Sequence, residues 1–290
     1  MTAIDLTGAP EALALPKVAP TDRSWSARTV AIKLSKGLLS TVISIAVVLG
    51  AWVAFLQIFH VQSFIGKGPV DVWRYLFSTP EAATNRHDIM GETGTTLRDA
   101  FLGLTFGTVA AIACAIAFNL SRSVERTLMP IAMVLRSVPL VAMTPLIVLV
   151  FGRELKAITV ISGIVTFFPT LVNVTLALRA TPRESIDLFH AYGASPVKTL
   201  RKVKVPSALP SLFASLRIAA PLALVGALLA EWLATGKGLG YKILQSGALS
   251  DYDGLWARVV LVTLYSVILY KFIGLIEKLV LVRYAPTNGR

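Results

Sequence analysis

Residues 183–206 read RESIDLFHAYGASPVKTLRKVKVP, and they separate two apolar runs, AITVISGIVTFFPTLVNVTLAL at 157–178 and ALPSLFASLRIAAPLALVGALLAEWL at 208–233. Each flank is near or above the roughly 20 residues a helix needs to cross a bilayer core. The connection 179–207 is too long for a simple helix hairpin, and it has helical order of its own. Ile186, Phe189 and Gly193 fall along one helical stripe, with Leu188 and Ala191 beside it, which predicts a short amphipathic helix. Gly193 suits the end of that helix, because it accepts positive φ and lets another backbone approach. Ser195 and Pro196 read as N-cap and first residue of a second short helix bearing Lys198, Arg201, Lys202 and Lys204. Pro206, Ser207 and Pro210 mark the next entry into the membrane.

Working outward, further apolar runs cover about 38–59, 100–120, 128–151 and 256–282. The expected fold is therefore all-α, a polytopic bundle of about six membrane helices with a cytoplasmic helical loop. A mean hydropathy of +0.70, with 55% hydrophobic and 15% charged residues, is far more apolar than a soluble domain carries. The first run is longer than a signal-peptide apolar region and reads as a retained anchor helix. The expected organisation is a cytoplasmic tail at 1–37, anchor and periplasmic segment at 38–94, a core at 95–282 and a cytoplasmic tail at 283–290.

The net charge of +12 lies mostly between the apolar runs, a membrane-topology pattern rather than a surface for nucleic acid. With the N-terminus inside, sixteen Lys and Arg fall on the cytoplasmic side and eight outside, which places both termini in the cytoplasm. The single cysteine, Cys114, and the scattered His60, His87 and His190 give no disulfide and no metal-ligand spacing, so no metal site and no catalytic residue is assigned. Charged groups inside apolar runs need a reason, since a central Arg or Asp costs about 2.5–3.5 kcal/mol on insertion scales. Arg136, Arg217, Glu231 and Lys271 are such groups. Arg136 precedes Pro139 and Pro145, which can break a helix and free carbonyls beside protein or water. These four residues, Arg136, Pro139, Pro145 and Glu231, are the candidates for a translocation pathway. For Arg136 the alternative is a structural partner of Glu231 or of a carbonyl cluster; Glu231 could gate, or anchor the turn at 236–240.

Asp187-Leu188-Phe189, Gly193 after three further residues, and Val203-Lys204-Val205-Pro206 after nine more resemble the EAA loop of ABC importer permeases. Gly and Pro spacing match in full, whereas Leu188 and Phe189 replace two alanines. Leu135-Arg136-Ser137-Val138-Pro139, Thr144-Pro145-Leu146, Ala230-Glu231-Trp232 and Gly238-Leu239-Gly240 extend the likeness over about 95–282. Together they are most similar to the subfamily serving sulfonates such as taurine, nitrate, bicarbonate and some aromatic or pyrimidine solutes. The resemblance implies an inner-membrane importer subunit for a small polar, anionic solute, working as a homodimer in the lipid bilayer. It also implies a cytoplasmic ABC ATPase and a periplasmic solute-binding protein as partners. ATPase coupling would fall on Glu184, Asp187, Gly193, Ala194 and Pro206. The chain has no GxxxxGK[ST] phosphate loop, so it carries no cofactor of its own, and ATP and Mg would sit on the partner. A secondary transporter, a channel and a membrane enzyme are the alternatives. They call respectively for a visible repeat, a filter-like loop or charged ring, and convergent catalytic groups, none of which stands out.

Overall fold

The computed structural model describes the backbone of residues 27–284 and the side chains of 39–282. Most of the two expected tails lies outside the described residues. Two compact units divide the chain between Phe55 and Leu56. The first is dominated by α1 (Ala27–Ile58), which begins inside the segment expected as tail because Ala, Lys and Leu favour helix there. Its stretch Leu39–Ile58 is apolar on every side and has no buried face, as suits a helix surrounded by lipid.

The second unit opens with α2 (Pro69–Phe77), a short helix outside the long spans. Its start is fixed by Pro69 in the first turn and by the Gly68 amide donating to Asp71 Oδ2 at 2.9 Å. α3 (Ala82–Leu120) runs unbroken for 39 residues, beginning well before the expected 100. α4 (Arg122–Ser137) and α5 (Leu140–Phe151) follow, then α6 (Leu155–Arg179), α7 (Arg183–Ala191) and α8 (Pro196–Thr199). α8 passes through a π-helical turn, Leu200–Lys204, into α9 (Val205–Ala230), which ends in a second π turn, Glu231–Thr235. α10 (Gly238–Ala248) and α11 (Tyr252–Tyr284) complete the described residues.

Among the described residues five helices are long and apolar enough to span, and α4 with α5 would be a sixth. The run expected as one helix at 128–151 is instead bent by 106°. Val138 and Pro139 are extended at the break (ψ 127° and 119°), since the residue before proline is pushed out of the helical region. Pro145 stays inside α5. A second difference is that the short helix expected at Ser195 does not stop before the membrane. Pro196–Thr235 is one helical rod, and its prolines are absorbed within it.

The core is a close-packed trio of α3, α6 and α9. Small residues permit it: a Cβ on Gly103 would enter the Ser162 side chain, one on Gly107 would strike Thr166 Oγ1 and the Gly163 carbonyl, and one on Gly226 would sit 2.7 Å from Ser162 Cα. The approach is sealed by Ser162 Oγ donating to the Ala223 carbonyl (2.8 Å) and Thr166 Oγ1 donating to the Gly103 carbonyl (3.3 Å). In lipid, where tails are as apolar as leucine, such packing and interhelical hydrogen bonds supply most of the association.

Candidate functional site

The helix ends divide the second unit into a basic end, with 120–126, 179–204 and the close of α11, and an opposite end with α2 and α10. At the basic end α7 presents a formed, largely exposed element. Its end is a Schellman cap: Gly193 has φ 70°, its amide donates to the His190 carbonyl (2.9 Å), and Ala194 donates to the Phe189 carbonyl (2.9 Å). Ser195 Oγ then accepts from the Lys198 amide (3.4 Å), and Pro196 occupies the first turn of the next helix. Ile186 and Phe189 are half-buried and face the molecule, whereas Gly193, Leu188 and Ala191, expected on or beside the same stripe, are exposed. The opposite face is open, with Leu188 56% and Tyr192 83% exposed, and Val197 of α8 is 61% exposed. Glu184 and Asp187 are exposed beside it, whereas Ala194 and Pro206 are half-buried. An apolar tip framed by carboxylates, on a capped helix tied to a long rod, is suited to seating in a groove of another protein.

Among the described residues no hydrogen bond or ion pair joins the pathway candidates to one another. Arg136 is exposed in the last turn of α4, with no ion-pair partner among the described residues. Pro139 caps α5, and Pro145 lies within it, where the Thr144 hydroxyl donates to the Leu140 carbonyl (2.9 Å). Glu231 is wholly buried and bonds elsewhere. Its Oε2 accepts from Thr96 Oγ1 (3.0 Å) and from the Gly240 amide (2.8 Å), while the Leu239 amide donates to Thr96 Oγ1 (2.9 Å). Gly238, at φ 85°, leaves the space that the Glu231 carboxylate fills. This geometry is that of an anchor joining α3, α9 and α10.

Sequence reasoning missed an ionic network at the end opposite the basic one. Arg258 grips Glu92 with two hydrogen bonds (2.8 and 3.0 Å), donates to Ser246 Oγ (3.1 Å) and lies 3.8 Å from Asp251. Lys67 pairs with Asp253 (3.1 Å), and Trp256 Nε1 donates to the Ile65 carbonyl (2.8 Å). Burial pushes the Tyr75 phenol above its ordinary range, and Asp251 acts in the same direction. The signal was an arginine three residues into the last apolar run, which needs an acidic partner on another helix. Arg217, flagged from sequence, finds Glu277 at 2.8 Å, and Gly274 makes room for its guanidinium.

A model of the binding-protein-dependent transport system inner membrane component family matches residues 103–283. A probable ABC transporter permease protein of Haemophilus influenzae is 31% identical over 74% of this chain and 88% of its own length. The formylaminopyrimidine transport permease protein ThiX of Halalkalibacterium halodurans is 32% identical, over 64% and 74%. A putative aliphatic sulfonates transport permease protein, SsuC of Escherichia coli, is 28% identical, over 60% and 64%. Among solved structures, a chain of the inward-facing MetNI methionine ABC transporter superposes with a TM-score of 0.59 at 23% identity, covering 72% of this chain and all of that one. That likeness shows the fold. Family match and relatives together make the chain a member of the binding-protein-dependent ABC permease family, the inner-membrane component of an importer.

Proposed function

We propose that this permease works as one of a two-fold pair, receives a small polar, anionic solute from a binding protein outside the inner membrane, and is driven by a cytoplasmic ATPase seated on α7. The capped, apolar-tipped α7 carries the reading. The Lys and Arg excess supports an orientation with the basic end and both termini in the cytoplasm. Closure of the ATPase would displace α7. The rod Pro196–Thr235, about 60 Å long at 1.5 Å per residue, would carry that displacement to the Glu231 anchor and to α5, which packs on the second π turn.

Arg136, which has no ion-pair partner among the described residues and sits just before the α4–α5 break, supports an anionic solute, because an exposed guanidinium there offers a fork to carboxylate, sulfonate or bicarbonate oxygens. The exposed apolar residues Leu146, Leu149 and Val150 on α5 suit lipid or the second copy. A neutral nitrogen heterocycle is the second reading, favoured by the formylaminopyrimidine relative at 32% identity. Uptake of labelled sulfonate, bicarbonate and pyrimidine in cells lacking this chain, with and without plasmid-borne gene, tests both. Restored uptake that persists when the partner ATPase is inactivated would contradict the ATP-driven mechanism.

A further inference from the structure

A cavity of about 730 Å³ opens at the basic end, where α3 ends, α4 begins and α6 leads into α7. Arg122, Arg126, Arg179, Arg183 and Lys204 line it, against one carboxylate, Glu125. Arg179 pairs with that carboxylate, and Lys204 Nζ donates to the neutral Asn119 Oδ1 at 3.0 Å. The walls therefore hold a surplus of four positive charges with no internal anion to meet them. Guanidinium groups cannot discharge by losing a proton, so the gathered charges repel unless an anion enters. Several forks around one space match an anion with several oxygens, a phosphate above all.

Position narrows the source. Leu120 and Arg179 close two spanning helices, so the cavity lies at the depth of lipid headgroups on the side assigned to the cytoplasm. Met129 and Pro130 form part of the wall, and exposed Met133 continues the same face of α4 one turn further along. A charged mouth joined to an apolar strip has the form of a phospholipid.

The geometry points to a binding site for the phosphate headgroup of an anionic phospholipid, with an acyl chain laid along Met129, Pro130 and Met133. Arg183 and Ile186 belong to α7, so a bound headgroup braces the base of that helix. The site requires only that the chain is embedded in a membrane. It is independent of ATPase docking.

The test uses the purified full chain in phosphatidylcholine nanodiscs with spin-labelled phosphatidylglycerol or spin-labelled phosphatidylcholine as probe. Wild type should hold a motionally restricted phosphatidylglycerol fraction that exceeds its phosphatidylcholine counterpart. Arg122→Gln with Arg126→Gln should weaken that preference by about 30-fold, because each basic side chain near the surface contributes comparably to anionic-lipid attraction. Arg122→Lys with Arg126→Lys should retain most of it, and Arg153→Gln with Lys156→Gln, at the opposite end, should leave it intact. An equal preference in the glutamine pair and wild type, with helicity unchanged, overturns the proposal. So does loss of the restricted signal on adding millimolar inorganic phosphate, which would identify a soluble anion as the occupant. Absence of any preference in wild type would point to an acidic protein segment instead and overturn it equally.

Discussion

Gly193 is the residue at which the coupling reading is most exposed to test. A Cβ there meets nothing within 4 Å, so substitution creates no clash within the chain. The penalty is conformational: at φ 70° an L-residue other than glycine is disfavoured by roughly 1–2 kcal/mol, and a β-branched one toward about 3 kcal/mol. α7 has nine residues, fewer than the roughly 12–15 that an isolated helix needs to be even marginal, so its cap decides whether the docking form persists. Asparagine tolerates the left-handed region and should behave nearly as wild type. Populating the docked form less lowers apparent affinity in proportion. Gly193→Ala should therefore weaken ATPase binding about 5–30-fold, and Gly193→Val toward about 150-fold.

The assay is binding of the purified ATPase to permease variants in nanodiscs, with solute-stimulated hydrolysis measured on the same samples. Insertion and thermal stability of the membrane part should not change, because α7 lies outside the core trio. The order asparagine, alanine, valine is the signature of a backbone effect. Equal binding by all three variants would show that α7 is only an interfacial helix. Asparagine as damaging as valine would show that bulk against the partner, not φ, is what matters.

Glu231→Ala should lower thermal stability by about 2–4 kcal/mol, since it empties a buried site and leaves the Gly240 amide without an acceptor, while Glu231→Gln stays within about 1 kcal/mol in a melting assay. Arg258→Ala should destabilise by about 3–5 kcal/mol by stranding Glu92, and Arg258→Met with Glu92→Leu should recover most of it. Gly107→Ala should separate α3 from α6 and lose about 1–3 kcal/mol, read by the same melts. In a Cys114→Ala background, cysteines at Ser78 and Ser250 should react with an impermeant thiol reagent from outside, and those at Ser123 and Lys202 should not; reversed labelling would invert the orientation. Arg136→Gln should reduce uptake of an anionic solute while assembly stays intact, and normal uptake would make Arg136 structural.

The helical loop was legible because its signals are local. Gly193, Ser195 and Pro196 each specify one backbone state, and a cap involves only a few neighbouring residues. The bend at Pro139 was legible as an interruption but not as a 106° elbow, because the angle depends on what α5 packs against. The same holds for the second short helix: proline is tolerated in the first turn, so Pro206 could not show whether a new helix began or an old one continued. Glu231 was visible as a costly group, yet its role as anchor needed Thr96 and the Gly240 amide, and Thr96 lies 135 positions away. The Arg258 network draws on α2, α3, α10 and α11, and nothing in the chain order announces that these meet.

The most direct measurement of the central claim is photo-crosslinking from the tip of α7 in intact cells. p-Benzoylphenylalanine at Leu188 or Tyr192 should capture an ATPase, identified by mass spectrometry, and the adduct should disappear when Gly193→Val is added. The same probe at Trp73 or Ser250, at the opposite end, should capture no ATPase. An ATPase captured from Ser250, or none from Leu188 and Tyr192, would contradict the account.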